Sequence, residues 1–137
     1  MNFNTPKMIF CTKNILIASI LLSIFCCTLL PYIYLGLQSN DFSDFPLVAL
    51  TIIAQVLAIF FIQRSNVIGN LIIIFFNLQD ISFLHLLDQR MSLWLLKTGP
   101  QTYFNLLMSY LLIMLALIHM FLVVSRFLRQ KRSATKK

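Results

Sequence analysis

The sequence has few charged residues. Only 11% of its 137 residues are Asp, Glu, Lys or Arg, and Glu is absent. An ordinary soluble domain has about 25% charged residues. Here 59% of the residues are hydrophobic and the mean hydropathy is +0.85, so the composition excludes such a domain and indicates a membrane protein. The four acids are Asp41, Asp44, Asp80 and Asp88.

Residues that carry chemistry are also few. Cys26 and Cys27 are adjacent and cannot form a C-x-x-C pair, and Cys11 lies apart from them. The histidines, His85 and His119, are expected in opposite halves of the bilayer, so they do not favour a shared metal or a haem. We therefore expect no enzyme activity, no metal and no cofactor.

Four apolar runs are long enough to cross a bilayer. They predict an all-α integral membrane bundle of four transmembrane helices, arranged up-down-up-down because short connections favour antiparallel neighbours. The runs are residues 15–37, 46–63, 67–87 and 102–125.

Several residues mark the expected ends of these spans. Asp44 before Pro46 is typical of a helix start. Residues 64–66 predict a tight turn, and Gly99 with Pro100 predicts a helix end. Residues 88–97 are expected to continue the third helix and bend into a short interfacial helix before the fourth span, with Trp94 at headgroup level.

Pro31 predicts a kink near the outer end of the first span.

The positive charges are distributed unevenly over this topology. Nine Lys or Arg fall on the side of the two termini and two on the other, which predicts cytoplasmic termini, most simply in a bacterial inner membrane. The segments are then a cytoplasmic N-terminus at 1–14, the membrane domain at 15–125 and a basic cytoplasmic tail at 126–137. This tail acts as a stop-transfer signal and could also bind anionic lipid headgroups. The charge pattern does not favour binding of nucleic acid.

The third span carries an unusual polar stripe. Its polar residues lie within about 140° of arc at helical periodicity. Because this face is unsuited to lipid, the other helices are expected to cover it with their own small or polar faces. The stripe comprises Asn66, Asn70, Asn77, Asp80, His85 and Asp88.

Estimated depths place the polar residues in three layers rather than in one compact site. The outer layer holds Asp80 and Ser109, and the inner layer holds His119 and Asn70. Gln55 and Asn77 form the middle layer, near the midplane, and predict a hydrogen bond between the second and third helices if the two side chains meet there. The candidate functional residues are Asp80, Asn77, Asn70, His119, His85 and Gln55.

Each candidate also has a structural interpretation. An acid within a span is a functional hypothesis by default, yet Asp80 could instead serve as hydrogen-bonded glue or reach outward. A single buried histidine such as His119 is more often a packing residue than a ligand.

Two functions fit this pattern. The first is a non-enzymatic protein that binds another membrane protein, as an accessory subunit, an assembly factor or an immunity protein. The alternative is a small oligomeric transporter or channel that uses the intramembrane Asp80.

Overall fold

The computed structural model describes residues 5–43, 45–90 and 92–136, with side chains at 6–43, 45–82 and 103–136. Predictions that concern the side chains of Asp44, His85, Asp88 and Trp94 lie outside these residues.

All regular structure in the described part of the chain is helical, and it forms four helices. The prediction of an all-α four-helix bundle is confirmed. Helix α1 consists of Thr5–Ser23, a π-helical segment Ile24–Leu29, and Leu30–Ser39; α2 is Phe45–Gln63, α3 is Val67–Arg90, and α4 is Ser92–Thr135.

Three of the helices are long and apolar enough to cross a membrane. They contain the apolar stretches Pro6–Ser39, Phe45–Gln63 and Tyr103–Thr135. The described side chains of α3 end at Ser82, and Val67–Ser82 within them is an apolar stretch. The chain is therefore a helical membrane protein.

One predicted helix boundary is wrong: α4 continues through Gly99 and Pro100, where a helix end was predicted. α1 begins at Thr5, ten residues before the predicted span at 15–37. The basic tail is also helical as far as Thr135. The reason is that hydropathy marks where a helix meets lipid, whereas the helix itself continues while its backbone hydrogen bonds are favourable. Lys, Arg and Gln in the tail are good helix formers.

Residues 64–66 form the tight turn that the sequence predicts. Ser65 has φ 55°, and its N–H donates to the Ile62 carbonyl at 2.9 Å. The Asn66 N–H donates to the Phe61 carbonyl at 3.0 Å, which completes a Schellman motif at the end of α2. Asn66 then caps α3, because its Oδ1 accepts a hydrogen bond from the Ile68 N–H at 3.1 Å.

The loop between α1 and α2 folds back onto α1. Asn40 ends the helix in the left-handed conformation, with φ 53°. The Phe42 ring packs edge-on against Tyr32, whose hydroxyl donates to the Phe42 carbonyl at 3.1 Å, and covers Gly36. The Ser43 N–H donates to Asp41 Oδ1 at 2.9 Å and holds the pKa of this exposed carboxyl below its ordinary value.

The irregularity expected at Pro31 takes the form of a π-helical segment. It spans Ile24–Leu29, and the Leu30 N–H donates to the Phe25 carbonyl, five residues back. Pro31 lacks an N–H, so it cannot give Cys27 the ordinary helical bond. In the π turn before Pro31, backbone N–H groups bond to the carbonyl five residues back instead of four, which accommodates the missing bond.

The four helices form a closed ring, because each packs on the next and α4 packs on α1. Small residues allow the closest approach. A Cβ added to Gly69 of α3 would lie 2.6 Å from the Ala58 carbonyl oxygen of α2. The core residues are Leu16, Ile20, Ile24, Ala58, Ile62, Ile73, Leu112 and Ala116.

Polar and large apolar residues are distributed as lipid requires. Among the described residues, the buried polar side chains include Ser109, Asn77 and Gln55. Many large apolar side chains, such as Phe75 and Phe121, are exposed on the outer surface. The ring thus directs its small and polar faces inward and its bulky apolar faces toward the bilayer.

Candidate functional site

A polar cavity of about 260 Å³ lies between the four helices, partly enclosed by them. The eight described lining residues all have polar side chains, and every helix contributes at least one. They are Ser23, Cys27 and Thr28 of α1, Thr51 and Gln55 of α2, Asp80 of α3, and Asn105 and Ser109 of α4. A cavity with this lining suits a polar occupant rather than a lipid tail.

Among the described lining residues, Asp80 provides the only carboxyl group, and none of them is Lys or Arg. The side chain of Asp80 is exposed and borders the cavity. No described Lys or Arg forms an ion pair with it. An ionised carboxylate at this depth therefore depends on the cavity's contents or on a partner for compensation.

Gln55 is the most enclosed polar group in the cavity wall. Its side chain is 4% exposed, and its Oε1 is fully buried without a hydrogen-bond partner in the described structure. A buried acceptor without a donor costs about 1–3 kcal/mol, so the site favours an occupant that can satisfy it.

Asn77 does not form the predicted hydrogen bond with Gln55. Its Nδ2 instead donates to the carbonyl of Ile73 in its own helix, at 2.7 Å. A buried amide side chain can donate its N–H to the backbone carbonyl one turn back in its own helix, so it needs no partner on another helix. Asn77 is buried near the cavity level but does not line the cavity.

Asn70 and His119 form a separate site nearer the inner end. His119 Nδ1 lies 3.1 Å from Asn70 Oδ1, and both side chains are fully buried. Because Oδ1 can only accept, Nδ1 carries the proton. Asn70 Nδ2 and His119 Nε2 have no partner in the described structure. This hydrogen bond joins α3 to α4.

The three predicted layers are therefore only partly present. The inner residues pair as their depths indicated, but Gln55 of the middle layer shares one cavity with Asp80 and Ser109 of the outer layer. Estimates of depth along separate helices could not show that these side chains line the same space. The side chain of His85 lies outside the described residues.

Of the described lining residues, only Gln55, Asp80 and Ser109 were placed in the predicted layers, and Thr28 is one that regular helical spacing would not bring to the cavity. Regular helical spacing turns it away from Ser23, five positions earlier. The π-helical segment links residues five apart, which brings Thr28 toward the face of Ser23. Pro31 was the one signal in the sequence for this change of spacing.

The comparisons add no relative: no family model, curated protein sequence or solved structure matches this chain. The fold and the cavity define its class as a small helical membrane protein with a polar interior site.

Proposed function

We propose that this protein acts without catalysis, by binding another membrane protein in an accessory, assembly or immunity-type role. The observation that carries the proposal is the exposed polar side chain of Gln79 on α3, which does not line the cavity. It lies within the apolar stretch Val67–Ser82. Exposing an amide to lipid is unfavourable, because its hydrogen-bonding groups find no partner there. A partner helix packed there would remove this cost.

The other exposed surfaces offer lipid-compatible controls. Leu57 of α2 and Phe121 of α4 are exposed apolar residues of the kind that lipid solvates well. We therefore place the partner surface on the outer half of α3 and leave the exposed faces of α2 and α4 to the bilayer.

Site-specific photocrosslinking in cells tests this assignment. A photoreactive amino acid at position 79 should give one discrete adduct with a different protein, while the same probe at position 57 or 121 should not. Equal adducts at all three positions, or none at position 79, would contradict a specific partner surface on α3.

A small oligomeric transporter or channel is the second candidate function. The cavity favours it, because polar side chains from all four helices surround space beside Asp80. In that case the probe at position 79 should yield an adduct of twice the chain's mass. Solute flux into proteoliposomes should be abolished by Asp80→Asn and partly retained by Asp80→Glu.

We further infer that the protein lies in a bacterial inner membrane with both termini in the cytoplasm. The support is the charge distribution along the ring of antiparallel helices. Lys7, Lys13, Arg64 and the basic end of α4 belong to one end of the bundle, which the positive-inside rule assigns to the cytoplasm. The same basic end is suited to contact anionic headgroups.

A further inference from the structure

We propose that the polar cavity is a binding site for one monovalent cation, coordinated by the Asp80 carboxylate, Gln55 Oε1 and nearby hydroxyl oxygens. This inference goes beyond the proposed function, because it requires no protein partner.

Gln55 gives the first reason. Its Oε1 is a buried acceptor that no described group satisfies, and the residue lines the cavity. Buried polar groups in folded proteins nearly always have a partner, so an acceptor left open here points to an occupant that supplies positive charge or a donor. The Asp80 carboxylate lines the same cavity and also needs a group that supplies positive charge or a hydrogen-bond donor.

The hydroxyl groups add neutral oxygen ligands. Thr51 Oγ1 donates a hydrogen bond to the Leu47 carbonyl at 3.0 Å. Its hydrogen is therefore engaged, and the lone pairs of its oxygen can contact a cation. Ser23, Thr28 and Ser109 contribute further hydroxyl oxygens from two other helices. Carboxylate, amide and hydroxyl oxygens are the ligands that hard cations prefer.

Charge balance selects a monovalent ion. The described lining residues include one carboxylate and no Lys, Arg or His, so a single positive charge balances the charge that they contribute. The described residues contain no group of three or more His, Cys, Asp or Glu that could hold a metal, which disfavours transition metals and divalent ions. The volume of about 260 Å³ also leaves room for several waters, at about 30 Å³ each.

An alkali ion and the ammonium group of a small primary amine share this chemistry. Both carry one positive charge and both are satisfied by converging oxygens. Sodium, potassium and methylammonium chlorides therefore form the three arms of the test. Tetraethylammonium serves as the background cation, because its ethyl groups keep the charge away from the oxygens.

The experiment measures thermal unfolding of the full-length protein in detergent, titrating each salt against tetraethylammonium chloride at constant ionic strength. At least one cation should raise the unfolding temperature with a saturating dependence on concentration. Saturation by sodium or potassium identifies an alkali site, and saturation by methylammonium alone identifies an amine site. The absence of a saturating rise with all three would overturn the proposal.

Variants connect the effect to the cavity. Asp80→Asn should abolish saturation, and Gln55→Leu should weaken the apparent affinity about fivefold, as expected for one lost polar contact. Asp41→Asn is the matched control, because it makes the same change of acid to amide in the exposed loop, and it should behave as wild type. An unchanged affinity in Asp80→Asn refutes the site.

If Asp80→Asn does not fold, Gln55→Leu and Thr51→Val decide the question. Wild-type affinity in both would refute the proposal. The photocrosslinking result at position 79 is independent of these titrations, so failure of the cation site and failure of the partner surface can be distinguished.

Discussion

The Nδ1 of His119 and the Oδ1 of Asn70 lie 3.1 Å apart, in a contact that joins two helices inside the bundle. Replacing Asn70 by Leu leaves the ring N–H buried without an acceptor. We expect Asn70→Leu to lower the free energy of unfolding by about 1 kcal/mol, in the upper part of the range for interhelical hydrogen bonds in membranes. Denaturation in mixed micelles measures this change.

The pair also predicts non-additivity. Asn70→Leu combined with His119→Leu should cost less than the sum of the two single changes, with a coupling energy of about 0.6 kcal/mol, because the double variant leaves neither polar group unpaired. Purely additive losses would show that the contact contributes no interaction energy.

The packing of α2 on α3 depends on Gly69. A methyl group there would lie 2.6 Å from the Ala58 carbonyl oxygen and 2.9 Å from the Ile62 nitrogen, both backbone atoms that cannot move independently. We expect Gly69→Ala to destabilise the bundle by about 1–3 kcal/mol, measured by the same denaturation.

Gly36→Ala is the control for this prediction. The three atoms nearest to its new methyl group all belong to the Phe42 ring, a side chain in the loop that can swing aside. Both substitutions gain the same helix propensity, about 1 kcal/mol. The difference between their changes in the free energy of unfolding therefore measures the clash with backbone atoms at Gly69. Equal effects would mean that α2 and α3 can separate at no cost.

Ser65 holds a left-handed conformation that favours glycine, with φ 55°. Ser65→Gly should therefore raise the free energy of unfolding by about 1 kcal/mol, since a side chain in this region costs about that much. Ser133→Gly, in the exposed end of α4, should instead lower it by about 0.5–1 kcal/mol. Destabilisation by Ser65→Gly would argue that the turn is not a Schellman motif.

Reporter fusions test the orientation inferred from charge. Fusions after Leu37, Gln63, Gly99 and Lys137 should report outside, inside, outside and inside, because the basic end of the bundle stays in the cytoplasm. A C-terminal reporter active on the outer side of the membrane would contradict both the orientation and the count of four crossings.

Much of the fold was predictable from local pattern. Long apolar runs established the four helices, and residues 64–66 were correctly predicted as a turn, because turn and span signals act over a few residues. Helix ends were predicted less well. Thr5 and Thr135 lie beyond the apolar runs, and Gly99 with Pro100 did not end α4, since a helix can continue into water or past one missing hydrogen bond.

The sequence by itself determined the membrane class, the number of helices and the burial of Asn70 and Asn77, because lipid imposes these through hydrophobic length and helical periodicity. It also put Asn70 and His119 at one depth. Only the tertiary structure decided that Gln55 shares a cavity with Asp80 while Asn77 bonds to its own helix. These choices depend on the rotation and spacing of packed helices, including the π-helical segment before Pro31, and no local pattern encodes where four separate surfaces meet.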